Sequence, residues 1–184
     1  MAITTIYRGI EYRSRLEAKW AAFFDLLHWR HTYEPFDGDG YIPDFMIHGT
    51  RPMLIEIKPA VGEADYRAPI EKAERGLRQH WKHDVLILGV DPFPSIEDHW
   101  VHGRHFPAGI LGEHDGGGWF WEPAIWNHCG RCDTTNVFHS CMSYTGRPCG
   151  CYDGDHYLLG ESRTYLEELW ADATNQVKWR GKAA

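Results

Sequence analysis

Between Ser14 and His28 the apolar residues Leu16, Trp20, Phe23, Phe24 and Leu27 fall on one stripe at helical spacing. Ser14 followed three residues later by Glu17 has the spacing of a capping box, so a helix is expected over 14–28. The period then changes. "TYEPFDGDG" reads as a short strand and a turn, Tyr41 to Ile47 as a strand, "HGTRP" as a turn, and Met53 to Lys58 as a strand ended by Pro59. Helical spacing returns over 64–83, with Ile70, Ala73, Leu77 and Trp81 inward. Val85 to Val90, "VLILGV", suits a buried strand. The order is helix, two or three strands, helix, strand.

From Asp91 the texture changes to Gly, Pro, His and Trp. Loops are expected there, with one or two aromatic strands, of which Trp119 to Trp121 is the clearest. His99, His102 and His105 recur at a spacing that keeps them off a single strand face, and they read as loop residues. A final amphipathic helix is expected over 162–179, with Leu166, Leu169, Trp170, Ala173 and Val177 on one side.

Composition narrows the class. A chain of 184 residues with 43% hydrophobic content and nine tryptophans can build a real core. No apolar run is long enough to span a bilayer, and the first residues lack a signal-peptide core, so a cytoplasmic protein with no membrane partner is expected. The net charge of −7 argues against a general basic coat for nucleic acid, while leaving room for a locally basic or metal-charged cleft.

The charges on the strands carry chemistry. Asp44, Glu56 and Lys58 interrupt segments that otherwise read as core, where a charge is costly unless it is paired or metal-bound. Residues two apart on a strand share a face, so Glu56 and Lys58 project together while Ile55 and Ile57 face the core. Asp44 can reach the same point from the neighbouring strand. Two converging carboxylates suit a hard divalent cation such as Mg²⁺, and a nearby lysine can act on water or phosphate. The competing reading is a solvated face with a weak ion pair.

"Pro43-Asp44 … Glu56-Ile57-Lys58" resembles the signature of the PD-(D/E)XK nuclease superfamily, and "RSRLEAKWAAFFDLLHWRHTYEPF" is similar to the start of small nuclease-like proteins of phages and prophages. The similarity covers roughly residues 6 to 92. It implies an α/β (α+β) fold with a restriction-endonuclease-like core: helix, three-stranded meander, helix, strand. It implies Asp44, Glu56 and the backbone carbonyl of Ile57 as ligands of Mg²⁺ or Mn²⁺, Lys58 as catalytic lysine, and Glu17 as an auxiliary acid. Glu17 also suits the capping box, and the two roles compete for the same oxygens. The implied activity is hydrolysis of DNA phosphodiester bonds, in a host cytoplasm if the protein is phage-encoded. The alternative is a nuclease fold without turnover that holds nucleic acid or a host or phage protein. Arg75, Arg78 and Lys82 form a basic stripe on the second helix that can contact phosphates or simply face solvent, and Arg13, Arg15 and Lys19 offer similar candidates.

Five cysteines, an odd number, favour metal binding over a disulfide framework. Cys129-x₂-Cys132 and Cys149-x-Cys151 offer two thiolate pairs for a tetrahedral, structural zinc site, with His139 or Cys141 as possible replacements for one member. The expected organisation is a core over 1–92 and, over 93–184, a zinc-stapled extension packed on it.

Overall fold

A computed structural model describes residues 3–38, 40–49, 52–77, 84–96, 106–114, 118–139, 149, 151 and 158–178. Arg78, Trp81, Lys82, the three histidines 99, 102 and 105, and Cys141 lie outside these residues, as does the side chain of His139.

The chain opens with a hairpin of β1 (Thr5–Tyr7) and β2 (Ile10–Tyr12), joined by Arg8 and Gly9, both at positive φ. Helix α1 (Arg15–Leu26) follows, with the Ser14 hydroxyl accepting from the Glu17 amide at 3.1 Å. The Glu17 carboxylate does not close the capping box on the backbone; it accepts from the Ser14 hydroxyl at 2.8 Å and turns towards the sheet. At the other end His28 takes the left-handed conformation, and the Trp29 amide reaches back to the Phe24 carbonyl at 2.8 Å. Phe24 and Trp29 stack over this bond at 5.6 Å between centroids, the apolar contact that accompanies a Schellman ending.

Strands β3 (His31–Tyr33), β4 (Phe45–Ile47) and β5 (Met53–Ile57) form an antiparallel meander. A 3-10 turn (Glu63–Tyr66) leads into α2 (Arg67–Leu77), which returns the chain to β6 (Val85–Leu88), parallel to β5. The strand expected over Tyr41 to Ile47 is thus only its last three residues; Tyr41 instead packs against α2.

The same sheet continues from β6 into β7 (Pro107–His114) and β8 (Trp119–Cys129), which are longer than any strand before them. Within the segment expected as loops with one or two aromatic strands, residues 107–114 and 119–126 are therefore sheet. Gly109 and Gly112 read as turn signals, yet a Cβ at Gly109 would meet the Ile87 carbonyl, and one at Gly112 would meet the Trp121 ring at 2.6 Å. Here glycine marks close approach inside a sheet. Strand β8 takes β7 and then β10 (Leu158–Gly160) along one edge and β9 (Thr134–His139) along the other. Helix α3 (Arg163–Gln176) packs beside α1, with Leu166, Ala173 and Val177 in the same core cluster.

The result is a mixed α/β fold with helices on both faces. Met53, Ile55 and Ile57 of β5 join the α1 and α3 side, while Leu54 joins Ala73 and Leu77 of α2. Trp20, Phe23, Phe24, Trp29, Phe45 and Trp126 fill the larger core at almost no exposure. Strand alternation puts Glu56 on the α2 side, buried beneath that helix. Among the described residues no helix is long and apolar enough to cross a membrane.

Candidate metal centres

Asp44 stands just before β4, Glu56 within β5 and Lys58 just after β5, so adjacent strands bring all three together. Asp44 and Glu56 are 3% and 1% exposed, which makes them core carboxylates and not a solvated face. The Lys58 ammonium lies 2.7 Å from Glu56 Oε1, 3.0 Å from the Ile57 carbonyl and 3.4 Å from Asp44 Oδ2. Three oxygens from two neighbouring strands therefore surround one cationic point.

Further groups steady each carboxylate. The Ile57 amide donates to Asp44 Oδ2 at 2.7 Å, and Arg13 Nη2 donates to Asp44 Oδ1 at 2.6 Å. Tyr41 donates to Glu56 Oε2 at 3.3 Å, and Lys72 of α2 stands 3.7 Å from Glu56 Oε1. Burial, reinforced by the charge of Asp44, raises the pKa of Glu56 above the ordinary carboxylate range against the opposing pull of Lys58 and Lys72. Burial and then the Glu56 charge likewise hold the Tyr41 phenol protonated.

The remaining candidates fall in different places. Glu17 is buried and accepts from the Tyr33 hydroxyl at 2.6 Å. Its link to the carboxylate pair runs through Arg13, whose guanidinium also meets Glu34 at 2.9 Å and Glu17 at 3.8 Å. Glu17 thus meets the Ser14 hydroxyl at the cap and stands one guanidinium away from Asp44. Arg75 is exposed and pairs loosely with Glu71 at 3.9 Å. Lys19 lies over the Trp170 ring at 3.6 Å, and burial lowers its pKa to about 8 against the pull of Asp91.

Sequence reasoning missed Tyr41, Lys72 and the ion-pairing role of Arg13. One signal was present: Gly76 sits inside a helical pattern, where glycine costs about 1 kcal/mol relative to alanine. A Cβ there would stand 2.5 Å from the Tyr41 ring, so Gly76 makes room for the residue that steadies Glu56. Gly76→Ala should therefore destabilise the protein by about 1–3 kcal/mol through overpacking, despite its better helix propensity. A thermal melt at or above the wild-type temperature would show that Tyr41 yields freely.

The second centre is built at the β8–β9 hairpin. Cys129 ends β8, Cys132 follows in the turn, and Asp133 takes a positive φ, its amide bonding the Cys129 carbonyl at 2.9 Å. Asn136 of β9 accepts from the Cys149 amide at 3.0 Å, which docks the second cysteine pair on the first. The four sulfurs all lie within 4.8 Å of one another, and all four cysteines are free thiols. A tetrahedron with zinc–sulfur bonds of about 2.3 Å has edges of about 3.8 Å, so this set could hold a metal such as zinc. Burial raises the Cys149 and Cys151 thiols, while at Cys132 burial is outweighed by hydrogen bonding with Thr134 and the other cysteines, which lowers the pKa to about 7. His139 pairs with Ala124 at the far end of β9, five residues or about 17 Å along the strand from Thr134.

Comparison with protein-family models, curated proteins and solved structures returned no match. The functional reading therefore rests on the geometry of these two centres and on the sequence motif.

Proposed function

We propose that the protein is a metal-dependent nuclease of the PD-(D/E)XK type, hydrolysing DNA phosphodiester bonds with Mg²⁺ or Mn²⁺, and that its Cys₄ site holds a structural zinc. One observation carries this reading: Asp44 Oδ2, Glu56 Oε1 and the Ile57 carbonyl already surround a single cation, the Lys58 ammonium. These are the three ligands that the motif implies. The order α1, β3–β4–β5 meander, α2, β6 supports it as well.

The chemistry follows from the donors. A divalent ion held by Asp44, Glu56 and the Ile57 carbonyl would lower the pKa of a bound water and polarise the phosphoryl oxygen. Arg13 and the Ile57 amide orient Asp44, and Tyr41 orients Glu56. Lys58, only 26% exposed and surrounded by oxygens, has to release them when the ion enters. Its ammonium is then available to the attacking water or the scissile phosphate. Cleavage of linear, nicked and branched DNA in Mg²⁺ and in Mn²⁺, abolished by EDTA, is the expected result. Intact DNA in every metal lane would overturn the proposal.

A second reading has its own support. Arg13, Lys58 and Lys72 neutralise the two carboxylates without any metal, as a structural ion-pair network would. In that case the fold binds nucleic acid or a protein and does not turn over.

The two readings differ in pH behaviour. Glu56 has a raised pKa in the folded chain, so between its ordinary value and the raised one the folded state holds more protons than the unfolded state. Stability from this group is therefore lost as pH rises through that window. A metal ion needs the ionised form, so Mn²⁺ affinity should rise by up to about tenfold per pH unit across the same window. Calorimetry should find this slope in the wild type and lose it in Glu56→Gln. A flat wild-type profile would favour the ion-pair network.

A further inference from the structure

An arginine and a histidine stand where the backbone asks for glycine or asparagine. Arg8 occupies the first central position of the β1–β2 turn at φ 48°, beside Gly9 at φ 81°. Positive φ at both positions belongs to a type I′ turn, in which Asn-Gly is preferred. His28 holds the left-handed position that ends α1, at φ 60°, where glycine is the usual residue. Strained residues held in place by their surroundings gather at functional sites. These two, far apart in sequence, line one cavity of about 460 Å³ together with Arg30, His31 and the aromatic walls Tyr7 and Trp29.

Among the described residues the cavity has one carboxylate, Asp25, and it is engaged. It accepts from Tyr7 at 3.0 Å and faces Arg8 at 3.0 Å and His31 at 3.2 Å. Arg30 and His28 have no carboxylate within ion-pair reach among the described residues. Both also line a neighbouring cavity of about 270 Å³, together with His48 and the rim of the Cys₄ centre, and among the described residues no carboxylate lines that cavity. On a chain of net charge −7, two adjoining hollows lined by arginine and histidine form a local reversal of sign.

We propose that Arg8, His28 and Arg30 form a cradle for the phosphates of a nucleic-acid strand. The cradle chemistry calls for a phosphate; the choice of a strand rests on the nuclease reading. His48, at the cradle, and Asp44, at the carboxylates, lie at opposite ends of β4, four residues or about 13 Å apart. That is roughly the rise of four base pairs of duplex. A strand lying along β3, the edge strand beside β4, would meet the cradle and the metal centre together.

The test uses the full chain with its cysteine site loaded with zinc. Anisotropy of labelled duplex and labelled single-stranded DNA is titrated with salt, in EDTA-free buffer containing Ca²⁺ to stop cleavage. Arg30→Gln should weaken binding about three- to tenfold and reduce the salt slope by about one, the signature of one lost phosphate contact. The double variant Arg8→Asn, His28→Gly should also weaken binding while its melting temperature rises by a few degrees, because both new residues suit their backbone. Wild-type affinity and salt slope in all of these variants would overturn the cradle. A fall in the melting temperature of the double variant would show that Arg8 and His28 serve the fold. Competition by millimolar inorganic phosphate that matches an oligonucleotide, phosphate for phosphate, would replace the strand with a free phosphate ligand. Binding without cleavage in Mg²⁺ counts against the nuclease reading alone. Cleavage with unimpaired cradle variants counts against the cradle alone.

Discussion

Lys58→Ala should bind Mn²⁺ more tightly than the wild-type protein and yet lose cleavage by about 10²–10³-fold, a scale known for the removal of one electrostatic group from an active site. The two effects have one cause. In the wild type the ammonium sits 2.7 Å from Glu56 Oε1 and 3.0 Å from the Ile57 carbonyl, so an incoming ion has to displace it. Removing it frees the oxygens and takes from the proposed reaction the one cation, among the described residues, that touches both carboxylates. Asp44→Asn is the companion variant. It keeps the hydrogen bond from the Ile57 amide, so the protein should stay folded while Mn²⁺ binding at this centre disappears. Calorimetry and single-turnover cleavage read both outcomes. Weaker Mn²⁺ binding in Lys58→Ala would mean that the lysine helps to build the ion site and does not compete with it. Unchanged binding in Asp44→Asn would remove this centre from the mechanism altogether.

Cys129→Ser should lower the melting temperature by at least about 5 °C, since each kcal/mol lost shifts a chain of this size by about 2–4 °C. Metal analysis should find one zinc in the wild type and none in the variant. The loss should spread beyond the cysteines. Cys129 is the last residue of β8, which hydrogen-bonds to β7, β9 and β10, and Trp29 donates to the Thr135 carbonyl of β9 at 2.8 Å. Hydrogen exchange should therefore rise first in β9 and β10 and then along β8, with β3 to β5 and α1 the last to respond. Saturating DNA should still be cut at the wild-type rate by the folded fraction, because four thiolates leave no open position for a reacting water. A collapse of that rate in well-folded protein would place the zinc in the chemistry.

Much of the candidate chemistry was legible in the chain. The carboxylates announced themselves by interrupting apolar strands, and strand alternation alone put Glu56 and Lys58 on one face. The cysteine spacing named its four members, whose sulfurs do gather at one point. The partners were not legible. Arg13 and Lys72 reach Asp44 and Glu56 from a different loop and from α2, and no local spacing ties a helix surface to a particular strand position.

The sequence by itself determined the local elements: α1, the meander, α2, β6 and α3 each carry a periodic apolar stripe or an apolar run, and that period is a property of neighbours in the chain. Only the tertiary structure decided where the sheet goes after Leu88. Strands β7 and β8 pair across long stretches in which Gly109, Gly112 and Pro123 break the pattern. Those residues look like turn formers in isolation; the two glycines stand in the sheet because Ile87 and Trp121 leave no room for a Cβ there. The tertiary structure alone also decided that Arg13 and Lys72 would join Lys58 at the buried negative charge. Burial makes an unpaired carboxylate expensive, and the partners that relieve it come from whichever elements packing brings within reach.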